Sequence, residues 1–370
     1  MPHDPYKALY IHIPFCVSRC AYCDFATRAV PADAPEVRDY VERLVLDIRR
    51  LGKAGELASV ETVYLGGGTP THIGTRYLTE ILYALGLSMH LTEEVECTIE
   101  ANPESLDERL VRDVWALGAN RISIGVQSFD DALLKAIGRA HDAVRAREAV
   151  RIAQTRFSNV SVDLMCGLPG QTRESFRASL EEAIALGVTH VSVYPLVIED
   201  HTLFARMRDA GQIDEVDDDA EADFMQLAAE VLSRAGFTRY EVASYARPGF
   251  ESRHNTAYWT GKPYLGIGAS AATMTQNAER RMRVQDGEVT DDLDARQMAA
   301  EDLMLGMRMT RGVSDEMAER ARALLPDAPQ VLEGLCARGL VRHSDGRWRP
   351  TEQGWLLGNE LYGALLDLAP

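Results

Sequence analysis

Through its first two thirds the chain alternates short β-rich runs with longer amphipathic stretches, and this alternation limits the folds open to it. The runs at 8–13, 61–65, 94–100, 121–126, 159–166 and 189–196 carry Val, Ile, Thr and Tyr at strand-like density. Between them, segments near 35–54, 75–89, 105–117, 130–155 and 171–186 repeat apolar residues at helical spacing, with Arg and Glu on the opposite face. Such an order predicts parallel strands joined by right-handed helical crossovers. Six units of this kind fit a partial (β/α)6 TIM-like barrel better than a doubly wound sheet, although spacing alone leaves both open.

Beyond about residue 200 the alternation breaks up. A helix is predicted over 218–235, capped by the acidic tract Asp214–Asp219. Two β-like runs follow, Tyr240–Tyr245 and Tyr264–Met274, and from residue 294 two or three helices lead into a strand–turn–strand hairpin over Gly339–Pro350. Helices ending in such a hairpin predict a mostly helical, winged-helix-like C-terminal domain. The organisation read from this is a barrel over 1–235, a mixed α/β extension over 236–290 and the winged-helix-like unit over 291–370.

Charge bears on the last of these. With 39 Lys and Arg against 56 Asp and Glu the formal charge is −17, which argues against nucleic acid as a partner. Arg280-Arg281-Met282-Arg283 is the best candidate for a local basic patch, read as a solvated turn. No apolar stretch approaches a membrane span, and the start MPHDPYKALYIHIPF lacks a basic segment followed by an apolar one. The expected compartment is the cytoplasm, where thiols stay reduced; six cysteines in 370 residues are too sparse for a disulfide framework.

Three of those cysteines share one loop directly after the first predicted strand, as Cys16-x3-Cys20-x2-Cys23. Three thiolates can hold an iron–sulfur cubane and leave one iron open, whereas a closed cluster takes four. Two other readings apply to the same loop: a Cys20-x2-Cys23 redox pair, and zinc with His12 as fourth ligand. Four more features fall at predicted strand ends, where such barrels gather their chemistry: Gly66-Gly67-Gly68-Thr69-Pro70, Glu100, Gln127, and Asp163 ahead of Gly167-Leu168-Pro169-Gly170. Glu100 also reads as a cap for the helix that follows. Cys97, Cys166 and Cys336 lack ligand spacing and read as core thiols.

The C-x3-C-x2-C loop, with Tyr22 before its last cysteine, resembles that of the radical S-adenosylmethionine (SAM) superfamily. The resemblance narrows with Tyr10-Ile-His12-Ile-Pro14-Phe15-Cys16, the GGGTP turn, Glu100, Ile124–Phe129, Arg139 and Asp163–Pro169, which occur in the order of the oxygen-independent coproporphyrinogen III oxidase family. It spans roughly residues 8–275. It implies a [4Fe-4S] cluster on Cys16, Cys20 and Cys23, and SAM contacts from Tyr10, Tyr22, Gly67, Gly68, Thr69, Glu100, Gln127, Arg139 and Asp163. Two departures weaken the oxidase reading: Phe25 stands where the family has a further cysteine, and only fifteen residues precede Cys16. One gain points elsewhere. His254-Asn255-Thr256-Ala257-Tyr258-Trp259 reads H-N-x-x-Y-W and resembles the signature of the family's haem chaperone branch, which implies haem contacts from His254, Tyr258 and Trp259. The resemblance implies a haem chaperone with no catalytic residue of its own, handing haem to an acceptor haemoprotein such as one of the respiratory chain at a membrane. Oxidative decarboxylation of coproporphyrinogen III is the second reading, and a winged-helix nucleic-acid protein the third.

Overall fold

A computed structural model of the chain describes residues 3–89, 91–92 and 94–370. Six parallel strands stand side by side: β1 (Ala8–Ile13), β2 (Thr62–Gly67), β3 (Glu96–Ala101), β4 (Arg121–Gln127), β5 (Asn159–Cys166) and β6 (His190–Pro195). Helices cross over between them, so the partial (β/α)6 barrel is the observed architecture. The first crossover shows why its ends fall where they do. Pro35 opens the helix Pro35–Ala54 at a position that needs no N–H, and Gly55 closes it in the left-handed region at φ 82°. Its stripe Val37, Val41, Leu44 and Ile48 is buried on the sheet, each side chain contributing about 1.5–3 kcal/mol.

Strand alternation sorts the rest of the core. Leu9, Ile11, Val63, Leu65, Ile99, Ile122 and Val162 turn outward under the helices and are fully buried. Their neighbours turn inward, and they are polar: Thr62, Tyr64, Thr98, Glu100, Arg121, Ser123, Ser161, Asp163, His190 and Ser192. Barrels of this type ordinarily fill that interior with branched apolar side chains. This one holds a polar lumen instead.

The sheet continues past both edges of the barrel to twelve strands. Short strands Thr238–Arg239 and Ser244–Ala246 run antiparallel beyond β6. Beyond β1 come β7 (Tyr264–Ile267), parallel to it, and then β8 (Ala272–Gln276), β9 (Arg280–Gln285) and β10 (Glu288–Asp294), all antiparallel. The expected run Tyr264–Met274 is therefore two strands folded over at Gly268. Arg280–Arg283 is likewise no solvated turn. It lies in β9, where Arg281 is 2% exposed and bound to Glu301 at 2.5 Å and Asp302 at 2.8 Å. Charge density alone did not show that carboxylates 20 residues downstream would fold back onto the strand.

The predicted helix over 130–155 is also divided, into Asp131–Ala136 and Ala143–Gln154. The break at Gly138, φ 76°, frees Arg139 to point back toward the cysteine loop. At the C-terminus, helix Ala295–Met307 leads into strand Val313–Ser314, and helices Asp315–Arg322 and Ala328–Ala337 then precede the hairpin Val341–Ser344 and Arg347–Pro350 that completes its small sheet, as a winged-helix-like unit requires. Two further helices, Glu352–Leu356 and Gly358–Leu366, follow, and Leu361 and Leu365 complete the unit's own core with Leu303, Met307, Leu332 and Leu335. Among the described residues no helix is long and apolar enough to cross a membrane.

Candidate functional site: a cysteine loop over a polar lumen

The chain leaves β1 at Pro14 and enters a short two-stranded ladder, Phe15–Cys16 with Arg28–Ala29, which closes the cysteine loop into a lobe. No helix starts at Cys20, as a thioredoxin-like pair would need; Cys20 to Cys23 form a turn closed by the Cys23 N–H on the Cys20 carbonyl at 3.2 Å. His12 is not free for zinc either. Its Nδ1 lies 3.1 Å from the Tyr10 hydroxyl and its Nε2 3.1 Å from the Ala26 carbonyl. Among the described residues no three His, Cys, Asp or Glu converge on a single ion. The three loop cysteines are free and half-buried, and all face one cavity of about 580 Å³. Three separate thiols around a shared space are what a cubane with one open iron needs, so the donor set fits that group. Burial pushes the Cys16 thiol up and so disfavours its thiolate, a cost that bonding to iron would offset.

A chain of hydrogen bonds braces two of the cysteines against each other. The Thr69 hydroxyl lies 3.5 Å from Cys16 Sγ and accepts from Asn102 Nδ2 at 2.8 Å. Asn102 Oδ1 in turn accepts from Arg139 Nη2 at 2.6 Å, and Arg139 Nη1 reaches Cys20 Sγ at 3.5 Å. Asn102 carried no signal in the sequence reading beyond its place after Glu100. It became visible only when β2, β3 and the loop after β4 met.

The glycine turn is dictated by close approach. A Cβ on Gly66 would stand 2.9 Å from Glu100 Oε2, one on Gly67 2.6 Å from the His12 ring, and one on Gly68 2.8 Å from the Phe15 carbonyl. Only glycines let the backbone pass there. The Gly67 N–H donates to Glu100 Oε2 at 3.0 Å, and the Tyr64 hydroxyl to Oε1 at 2.7 Å. Glu100 thus caps no helix; it is a lumen carboxyl. Burial pushes it up to about 7, against those two hydrogen bonds. Asp163 accepts from the Ser123 hydroxyl at 3.1 Å, and its burial also raises it. Gln127 ends β4 in the left-handed region at φ 66°, beside a break in register with β5. A side chain held there is strained, a condition that collects at functional sites.

Of the residues expected to contact SAM, Tyr22, Gly67, Gly68, Thr69, Glu100, Gln127, Arg139 and Asp163 all border this one cavity. Tyr10 does not. It lies in a neighbouring cavity of about 360 Å³ that shares Tyr64, Glu100 and Asn255 with the first.

That second cavity is where the H-N-x-x-Y-W run arrives. It forms the short helix Arg253–Trp259, seated on Glu96 of β3, whose carboxylate accepts from the Arg253 and His254 N–H groups at 2.9 Å each. His254 is 2% exposed, stacked on Tyr64 with ring centroids 5.0 Å apart, and its Nδ1 lies 2.9 Å from the Thr62 hydroxyl. Burial first, and the nearby Arg121 charge second, hold the ring down to about 3, so it is neutral. Its Nε2 is buried with no partner. Tyr258 stands edge-on to it at 5.1 Å and joins Tyr10, Tyr64 and Tyr264 in walling the cavity. Trp259 is turned toward the C-terminal helices, under the Arg308 guanidinium at 4.6 Å. Cys97 and Cys166 are buried in the main core, whereas Cys336 is half-buried against the C-terminal one.

Comparison with known proteins bears on the family and the fold. Residues 10–183 match the family model of the radical SAM superfamily, and residues 293–357 that of the HemN C-terminal domain. A Bacillus subtilis (strain 168) protein called heme chaperone HemW is 34% identical over 97% of this chain and 99% of its own length. Its Escherichia coli (strain K12) namesake is 33% identical over 96% and 97%. Among solved structures, the radical SAM enzyme coproporphyrinogen III oxidase (HemN) of Escherichia coli superposes with a TM-score of 0.79 at 20% identity, covering 98% of this chain and 90% of its own, a likeness of fold. The chain belongs to the HemW family of the radical SAM superfamily.

Proposed function

We propose that this protein is a haem chaperone: it binds haem in the tyrosine-walled cavity beside the lumen and passes it to an acceptor haemoprotein. The observation that carries the reading is the buried, partnerless Nε2 of the neutral His254, a residue that borders a cavity walled by four tyrosines. A neutral imidazole is a haem-iron ligand, and aromatic rings offer faces to a porphyrin. Cys16, Cys20 and Cys23 would hold a [4Fe-4S] cluster, with SAM over the glycine turn and Glu100. When bound, that cluster supplies one-electron reduction at an open iron. The chain's own part is to fix the cysteines through Thr69, Asn102 and Arg139, to present Glu100 to an amino group, and to keep His254 unprotonated.

The test is a haem titration of the anaerobically reconstituted protein, with and without SAM, followed in the Soret band. Wild type should bind with a shifted band and should not convert coproporphyrinogen III. His254→Ala should bind haem at least about tenfold more weakly with cluster absorbance and SAM affinity unchanged. Robust decarboxylation by the purified protein would return the reading to the oxidase. Wild-type affinity in the His254 variant would move the iron ligand elsewhere.

A further inference from the structure

The floor of the lumen holds one group that nothing above uses. Arg121 opens β4, is 2% exposed, and borders the main cavity. Its Nε is buried without a partner, and no hydrogen bond or ion pair of its guanidinium occurs among the described residues. A buried charge left this way costs several kcal/mol, and a fold under no other demand places a carboxylate against it. Arg281 shows that this chain can do so, with Glu301 and Asp302 in contact. Around Arg121 it does the opposite. Glu100 and Asp163 feel its charge only through space, and His190 and His254 beside it are both held neutral, by burial and then by that same charge. One further polar atom beside it, the hydroxyl of Thr98 in register on β3, is also buried and unpaired. A buried cation that no carboxylate touches, with an unpaired hydroxyl beside it, describes a receptor for an anion.

The shape of the cation narrows the anion. A guanidinium presents parallel N–H groups that match a carboxylate in a two-point pair. We propose that Arg121 receives a carboxylate of a ligand that reaches into the lumen; resting on the haem reading above, this is a propionate of a porphyrin that extends from the tyrosine-walled cavity past Tyr64 and Glu100, which both cavities share. SAM carries a carboxylate too, but the cysteine loop lies past the opposite end of the strands. Arg121 and Gln127 are six residues apart along β4, about 20 Å at roughly 3.3 Å per residue. The floor therefore lies far along the strand from the loop at which SAM's own carboxylate would be held, although it shares the cavity with Glu100 and Asp163.

The experiment uses the full chain with its cluster reconstituted, and compares haem with haem dimethyl ester, whose propionates are blocked. Wild type should prefer haem by at least about tenfold, the weight of one charge-assisted pair. Arg121→Gln should bring haem down to the affinity of the ester, leave the ester where it was, and keep SAM affinity and cluster absorbance at wild-type values. A Gln variant that retains the preference, or a wild type that shows none, overturns the proposal. So does a Gln variant that loses SAM and keeps haem, which would assign the carboxylate to SAM. Should Arg121→Gln fail to fold, Arg121→Lys decides: its ammonium lacks the fork, so a reduced preference supports the proposal and an undiminished one overturns it. If wild type binds neither porphyrin, the haem reading falls by itself. The carboxylate receptor is then judged with propionate ion. A saturable rise in melting temperature of wild type that is absent from the Gln variant upholds it, and no rise removes it.

Discussion

Arg121 and Arg281 are buried to the same extent, 2% exposed each, and the molecule treats them in opposite ways. Arg281 sits in the seam between β9 and the C-terminal helix Ala295–Met307, where Glu301, Asp302 and Gln276 engage its nitrogens. Arg121 sits in the barrel lumen with its buried Nε–H unpartnered. The seam is a saturated polar network, and its carboxylates come from the chain itself. The lumen is an unsaturated one, and what would saturate it must come from outside. Saturation, more than burial or charge, separates the region that holds the fold from the region that holds a ligand.

The comparison can be broken most directly at the seam. Arg281→Met leaves Asp302 without its cation and Glu301 with Arg283 alone, and should cost about 3–5 kcal/mol in denaturant unfolding, the usual penalty for half a buried pair. Arg121→Gln, measured the same way, should cost little or stabilise. Equal losses at the two positions would erase the distinction.

A smaller effect is expected in the pH dependence of the lumen. His254 titrates near 3 in the folded chain and near 6.5 unfolded. Between those values the unfolded chain binds more protons, so stability falls as the solution is acidified through that window. At pH 5 the loss from this one ring is at most about 2 kcal/mol relative to pH 7. Glu100, raised to about 7, acts in the opposite sense: the folded chain holds its proton above the usual carboxyl range, and stability drains away as the pH rises toward 7. The net slope therefore mixes both signs. The difference between wild type and His254→Gln isolates the imidazole, and superimposable slopes would mean that the ring is not held neutral.

The smallest expected change sharpens the comparison from the lumen side. Glu100→Ala removes a carboxyl held by Tyr64 and Gly67. It should weaken SAM binding by about tenfold, roughly 1.4 kcal/mol, while iron content stays at the wild-type level. Calorimetry with unchanged SAM affinity would make Glu100 a structural carboxyl like those of the seam.

Much of the scaffold was readable along the chain because its signals are local. Period-two and period-3.6 patterning placed β1 and β5 at their observed bounds and the helix Pro35–Ala54 to the residue, since Pro35 and Gly55 punctuate it. The cysteine loop and the Gly66–Thr69 turn were readable for the same reason: each is a contiguous motif with a fixed spacing. Asn102, Glu96 and Arg121 were not. Asn102 matters because Thr69 and Arg139 meet on its amide, Glu96 because a helix from residue 253 onward lands on it, and Arg121 because of partners it lacks.

By itself, then, the sequence determined the order of strands and helices, the thiols at the first strand end and the glycines that must pass close to Phe15 and His12. Only the tertiary structure decided that the barrel's inward faces make a polar lumen, that the H-N-x-x-Y-W helix delivers His254 beside it and turns Trp259 to the C-terminal helices, and that one buried arginine is paired while the other is left open. The reason is one of range. Propensity and spacing act over a few residues, whereas saturation of a buried polar group depends on which distant strand or helix comes to lie against it.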